Sequence, residues 1–252
     1  MSDGTIPTDD ATSLSLLFHL NSEPWLNAEA YDTPGHPGTP LSLDGTPPRA
    51  LPPAGASPLT ALLRARRSCR SFERRTMSVA VFSALLAAAA GVTERASLDD
   101  GTAFLRRGAP SAGGLFPLDT FVFAQAVDEL ADGIHRYDPF IHGLVEIERG
   151  AMAGLLSRAL YAYPFAHAAN AVIAFVARFA RTEKKYGPRG YRYILLEAGH
   201  CAQDVCLRAA ELELGTLCMG GFLDSDVNRL LSLDPTEAGV VYMVAAGYPA
   251  GG

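Results

Sequence analysis

Cysteine is scarce. The four in 252 residues, Cys69, Cys201, Cys206 and Cys218, form no CxxC pair and no regular spacing. That argues against a disulfide framework and a thiolate metal site, and for free thiols. No apolar run reaches the roughly 18 residues that a membrane helix needs. The longest, Val79 to Val92, is rich in alanine and reads as a buried helix. Neither sign of charge is in large excess: 21 basic and 27 acidic residues leave a net charge of −6. There is then no broad attraction to phosphate polymers or anionic lipid, and neither nucleic acid nor membrane is expected as a partner. The Met-Ser-Asp-Gly start has no basic flank followed by an apolar stretch, so a cytoplasmic location is the expectation. There is no Walker loop, no GxSxG elbow, no GxGxxG after a strand, no HExxH and no internal repeat. The six histidines, His19, His36, His135, His142, His167 and His200, are scattered, so no metal site is expected. His200, inside a long helical pattern, is the one that merits checking.

What is present is enough apolar material for one large core, with 48% hydrophobic and 19% charged residues. Residues 1–56 stand apart as an arm, because seven prolines fall between Pro34 and Pro53 and block regular helix. Before them, Leu14 to Leu20 is apolar enough to dock as a short helix, with Trp25 as a second anchor of the arm. The body, residues 57–252, opens with a cap, Ser57-Pro58, and a helix to about Arg66. Ser78 caps a second helix through Ala90, with Gly91 as its left-handed stop. Thr120 to Val127, Ile134 to Tyr137 and Gly143 to Ile147 predict three antiparallel strands, the last two around the turn Asp138-Pro139. A helix from about Ala151 to Tyr161 follows. Asn170 to Ala180 suits a central strand covered on both faces. A long helix from Arg189 to Leu214 carries Ile194, Leu195, Ala198, Cys201, Val205, Ala209 and Leu212 on one face and ends at Gly215. Val240 to Ala246 is the last strand. Strands and helices without strict βαβ alternation make an α+β domain.

Four segments could carry chemistry. If extended, Arg66, Ser68 and Arg70 in Arg66-Arg67-Ser68-Cys69-Arg70-Ser71-Phe72 share one face and suit an anion such as phosphate; a solvated basic turn is the plainer reading. In Pro110-Ser111-Ala112-Gly113-Gly114-Leu115-Phe116-Pro117, paired glycines let backbone approach a flat ligand, though a plain loop explains them as well. Cys218-Met219-Gly220-Gly221-Phe222, placed in the turn after the long helix, offers the same close approach or a simple connection. In Lys184-Lys185-Tyr186-Gly187-Pro188-Arg189-Gly190, adjacent Lys185 and Tyr186 could act together only from irregular backbone, which Gly187-Pro188 favours. An ammonium beside a phenol would favour tyrosinate and so a base; otherwise the segment is a surface loop.

In this order the four segments resemble the SagB-type dehydrogenase branch of the nitroreductase superfamily, and the resemblance runs from about Leu17 to Pro249. It covers Phe18-His19 in the arm and Leu230-Leu231 through Asp234 near the end. It implies a nitroreductase-like fold, a central mostly antiparallel sheet flanked by helices with a long central helix, in an obligate-type homodimer that holds FMN at the subunit interface. By resemblance, Arg66, Arg67, Ser68 and Arg70 hold the phosphate and ribityl chain. Pro110, Ser111, Gly113 and Gly114 reach FMN from the opposite subunit, and Gly220 and Gly221 lie over the isoalloxazine. Lys185 and Tyr186 match the catalytic pair of azoline dehydrogenases, with Tyr186 as base. The activity implied is oxidation of thiazoline or oxazoline rings in a modified peptide, with a cyclodehydratase as an accompanying partner. An NAD(P)H-dependent nitro or quinone reductase and a non-catalytic peptide-binding subunit remain as alternatives. One position departs: no basic residue follows Gly247-Tyr248-Pro249, which leaves the phosphate to Arg66 through Arg70.

Overall fold

A computed structural model describes residues 14–22, 49–97, 101 and 103–251. Trp25 and nearly all of the proline-rich arm lie outside the described residues. The expected docking helix is there: α1 (Leu14–Asn21) rests on the body through His19, whose Nδ1 lies 2.9 Å from the Tyr191 hydroxyl.

The centre is a six-stranded sheet, all of whose neighbouring strands are antiparallel. Its strands are β3 (Leu118–Ala124), β4 (Gly133–Asp138), β5 (Gly143–Arg149), β6 (Ala171–Arg178), β7 (Gly215–Met219) and β8 (Ala238–Gly247). Their spatial order is β5-β4-β3-β6-β8-β7. Strand β6, expected to be central, is buried from Ala171 through Ala177 on both faces, as the Val/Ile/Phe content of a doubly covered strand requires. A separate hairpin, β1 (Val92–Ser97) with β2 (Ala103–Arg107), follows α3 (Val79–Ala90).

Two apolar layers sandwich the sheet. On one side α3 and the long helix α6 (Arg189–Glu211) contribute Phe82, Leu86, Ile194, Ala198 and Val205. On the other, α4 (Met152–Leu156) and α7 (Asp224–Leu230) contribute Met152, Leu156 and Val227. Helix α2 (Pro58–Ala65) is capped by Ser57, whose side chain accepts from the Thr60 N–H at 3.1 Å.

Several boundaries differ from expectation. Gly91 ends α3 in extended backbone, φ −60 and ψ 145, not the left-handed region. α6 stops at Glu211, and its left-handed residue is Glu213 (φ 57). Gly215 instead opens β7, where a side chain would meet Cys69 at 2.6 Å. The turn carrying Gly220-Gly221 therefore follows a strand, not the helix. Leu195, expected on the inner face of α6, is 39% exposed. The expected helix from Ala151 to Tyr161 is regular only over α4. Lys185 and Tyr186 sit in the last turn of a helix, α5 (Phe179–Tyr186), with Gly187 (φ 58) breaking the chain after them.

Candidate functional site

The end of α5 and the loop Pro110–Pro117 meet at Gly113. This glycine has φ +64, and a Cβ placed there would lie 2.7 Å from the Tyr186 hydroxyl and 2.8 Å from Lys185 Nζ. Helical geometry did not keep the two side chains apart, because both are long enough to bring their polar ends to the one point at Gly113. Tyr186 is steadied by Tyr193, ring edge to ring face at 5.0 Å, and Lys185 Nζ is 5.4 Å from the Tyr186 ring centre. Next to Gly113, Gly114 (φ +64) has open space where a side chain would stand, so the loop presents bare backbone.

The loop is tied to α6 through a residue that sequence reasoning missed. Ser111 accepts from the Phe116 N–H at 2.9 Å and donates to Glu197, which is only 4% exposed. Burial pushes the Glu197 carboxyl up to about 7, against the lowering effects of the Ser111 hydrogen bond and of Arg107. Arg107 stacks on the Phe116 ring at 4.5 Å. The signal was present: Glu197 is a charged residue beside Ile194, Ala198 and Cys201 on the stripe that α6 buries.

The second group gathers near the other end of α6. The chain after α2 runs extended beside β7, with Ser68 bridged to Thr216 and the Cys69 N–H donating to the Thr216 carbonyl at 2.8 Å. Arg66 and Arg67 line a cleft of about 280 Å³ with Cys206, Glu213 and Thr216. Ser68 and Arg70 do not line that cleft, although both are exposed close by. Among the described residues, Arg66, Arg67 and Arg70 make no ion pair. Cys206 and Cys218 face each other at 3.5 Å. Their shared proton lowers the Cys206 thiol and raises that of Cys218. Gly220 lies against the Tyr242 ring, where a side chain would come within 3.7 Å, and Gly221 lies by the Tyr163 hydroxyl.

The two groups are thus separate in one chain. Glu197 marks the first and Cys206 the second, nine residues apart on α6, about 13.5 Å at a helical rise of 1.5 Å per residue. His200 lies between them in sequence and is exposed. No group of metal-ligating side chains occurs among the described residues.

The nitroreductase family profile matches residues 63–248. A protein of Methanocaldococcus jannaschii named for the nitroreductases is 32% identical over 183 residues, 73% of this chain and 88% of its own. Among solved structures, a chain of the E. coli microcin synthetase complex McbBCD, with truncated pro-MccB17 bound, matches with a TM-score of 0.67 at 18% identity, over 97% of this chain and 85% of that one. A nitroreductase-like protein of Desulfovibrio desulfuricans, solved in complex with FMN, matches with a TM-score of 0.52 at 18% identity, over 78% of this chain and 89% of its own.

Proposed function

The chain belongs to the nitroreductase family of oxidoreductases, and from that premise we propose that it is an FMN-dependent dehydrogenase that oxidises thiazoline or oxazoline rings of a ribosomally made peptide to thiazole or oxazole. The observation that carries this reading is the convergence of Lys185 Nζ and the Tyr186 hydroxyl on the backbone of Gly113. A base and a cation at one point of an exposed glycine loop suit removal of a carbon-bound proton. The likeness of fold to a synthetase chain solved with a pro-peptide bound supports a peptide as substrate.

The residues present fit FMN. Arg66, Arg67 and Arg70 bring three cations without a carboxylate partner among the described residues, and with Ser68 they suit a phosphate and its polyol chain. Gly220 and Gly221 leave room for a planar ring beside Tyr242. FMN, when bound, supplies the two-electron acceptor for the ring being aromatised. Tyr186 takes the proton from the α-carbon of the azoline, and Lys185 stands beside it to meet the negative charge that develops there.

A second copy of the chain would bring the Lys185 group of one protomer to the Arg66 group of the other. Two faces support that pairing. Helix α2 buries none of its residues, with Leu59 56% and Leu63 50% exposed. On α6, Leu195 and Leu196 are 39% and 54% exposed. Apolar helix faces of this kind ordinarily lie against a partner.

The test is an absorbance spectrum of the purified protein, followed by mass spectrometry of a cyclised peptide incubated with it. The expected outcome is a yellow protein and a peptide lighter by two hydrogens. Tyr186→Phe retains the yellow colour and loses the mass change, by about a hundredfold in rate or more. Bleaching of the colour by NAD(P)H with no action on the peptide would assign nitro or quinone reduction instead. A colourless protein that takes up no FMN would leave a binding subunit.

A further inference from the structure

A cavity of about 370 Å³ borders the Pro110–Pro117 loop, walled by Leu115 and Phe116 of that loop, by Arg181 of α5 and by β2, β3, β4 and β5. Its volume falls in the range of small-molecule sites. Leu105, Leu118, Phe140 and Val145 make most of its surface apolar. Two polar atoms in its wall have no partner. Thr120, 3% exposed, leaves its hydroxyl without a hydrogen bond, and Arg107 leaves its buried Nε–H likewise. Buried donors left unmade are costly, and a functional site is one of the ordinary reasons for them.

The charge around the cavity selects the occupant. Three arginines, Arg107, Arg136 and Arg181, face two aspartates, Asp119 and Asp138. Asp119 is already spent on Arg178 at 2.9 Å, Arg181 at 2.8 Å and Arg136 at 3.4 Å, and Asp138 accepts from the Phe140 N–H at 2.8 Å. Among the described residues Arg107 makes no ion pair; it lies with its guanidinium on Phe116 and feels the charge of nearby Glu197. An occupant that satisfies both orphan groups must therefore present acceptors to a cation and a hydroxyl, and must fill the rest with apolar volume.

We propose that this cavity binds a small monocarboxylate with an aromatic or branched apolar body, the carboxylate meeting Arg107 and Thr120 and the body lying against Leu105, Phe116 and Val145. The site shares the Pro110–Pro117 loop and helix α5 with the Gly113 group, but its ligand contacts use neither Lys185 nor Tyr186 and do not depend on the redox reading of the chain. The ligand's carboxylate can belong to a free acid or to the C-terminus of a short peptide, since both offer the same two oxygens beside an apolar group.

The experiment is isothermal titration of the full chain with 3-phenylpropanoate, and in parallel with a tripeptide ending in phenylalanine. The expected result is saturable binding of one 3-phenylpropanoate per chain, no binding of the neutral 3-phenylpropanamide, and a loss of about tenfold or more in Arg107→Gln, as for one charge-assisted hydrogen bond. Leu105→Trp, which fills the cavity and removes no charge, abolishes binding. Tighter binding of the free-carboxylate tripeptide than of its amidated form, and than of 3-phenylpropanoate, assigns the site to peptide C-termini; the reverse assigns it to free acids. Should Arg107→Gln fail to give the native circular dichroism spectrum, Thr120→Val, which removes the other orphan donor and keeps the side chain's shape, makes the same comparison. No saturation up to about 10 mM, tenfold above a 1 mM dissociation constant, overturns the proposal. So does equal binding of the amide, or unchanged binding by Leu105→Trp.

Discussion

Gly113 is the residue at which the candidate site tolerates least. Its φ of +64 already disfavours any side chain, and the methyl of an alanine would take the space of the Tyr186 hydroxyl and Lys185 Nζ. Those atoms are the free ends of long side chains and can yield, so the expected cost to stability is about 1–2 kcal/mol from the backbone. The cost to turnover is expected to be larger, about a hundredfold, because displacement by an ångström suffices for that. Denaturant titration of Gly113→Ala alongside the peptide mass assay separates the two effects. Glu197 makes a pH prediction. Its carboxyl is raised by burial from an ordinary 4.5 to about 7, so between those values the folded chain holds a proton that the unfolded chain has lost. The stabilisation is complete below 4.5 and is lost as pH rises towards 7. Glu197→Gln removes that dependence. Urea midpoints at pH 5 and pH 7.5 should fall with pH in the parent by an amount worth up to about 3 kcal/mol, and much less in the variant. Equal slopes would refute the assignment. Gly113 was legible in the sequence because paired glycines between prolines are conspicuous. Glu197 was passed over because the apolar spacing of its helix was read for what it buries, and a carboxylate on that face was not.

At the scale of elements, Asp119 on β3 holds three others: Arg136 on β4, Arg178 at the end of β6 and Arg181 on α5. Burial alone would raise its carboxyl, but hydrogen bonds from Arg178 and Arg181 and the field of Arg181 and Arg136 outweigh that and leave it below its ordinary value. The stabilisation is present above about pH 4, the carboxyl's value in an unfolded chain, and is lost as pH falls below it. Asp119→Asn should cost about 1–3 kcal/mol at pH 7, softened because the arginines are 37–49% exposed to water. The difference from the parent should shrink at pH 3, read by the same denaturant midpoints. Helix α5, where Arg181 sits, was not visible as a helix. It follows β6 with no capping side chain and no turn residue, so in sequence the apolar run continues unbroken to Ala180. Strand β7 escaped for a related reason: five residues after a long helix are too few to show a period of two. The strands that were legible, β3 through β6 and β8, carry Val, Ile and Phe in quantity or are bounded by turns. α6 was legible because its pattern persists for six turns.

For the whole molecule, the separation of the two groups along α6 decides how the site is completed. If each centre takes Arg66 from one protomer and Tyr186 from the other, inactive chains can rescue each other. Arg66→Ala and Tyr186→Phe, each expected to be inactive alone, should on mixing and reassociation recover about a quarter of the parent turnover, because half the dimers are mixed and each holds one intact centre. No recovery, with exchange of protomers demonstrated by mass spectrometry, would place each centre within one chain. Three antiparallel strands and the long helix were readable from residue pattern and the sheet as a whole from the family resemblance, whereas this separation was not, because it depends on where the loop before β3 and the segment after α2 come to rest.

Helix α2 has a consequence for handling the protein. Leu59 and Leu63 stay at least half exposed among the described residues, so their contribution to heat resistance rests on a partner that meets them. Melting midpoints should then climb with the amount of protein in the tube and drop on dilution, and replacing Leu63 with aspartate should both flatten that dependence and lower the midpoint.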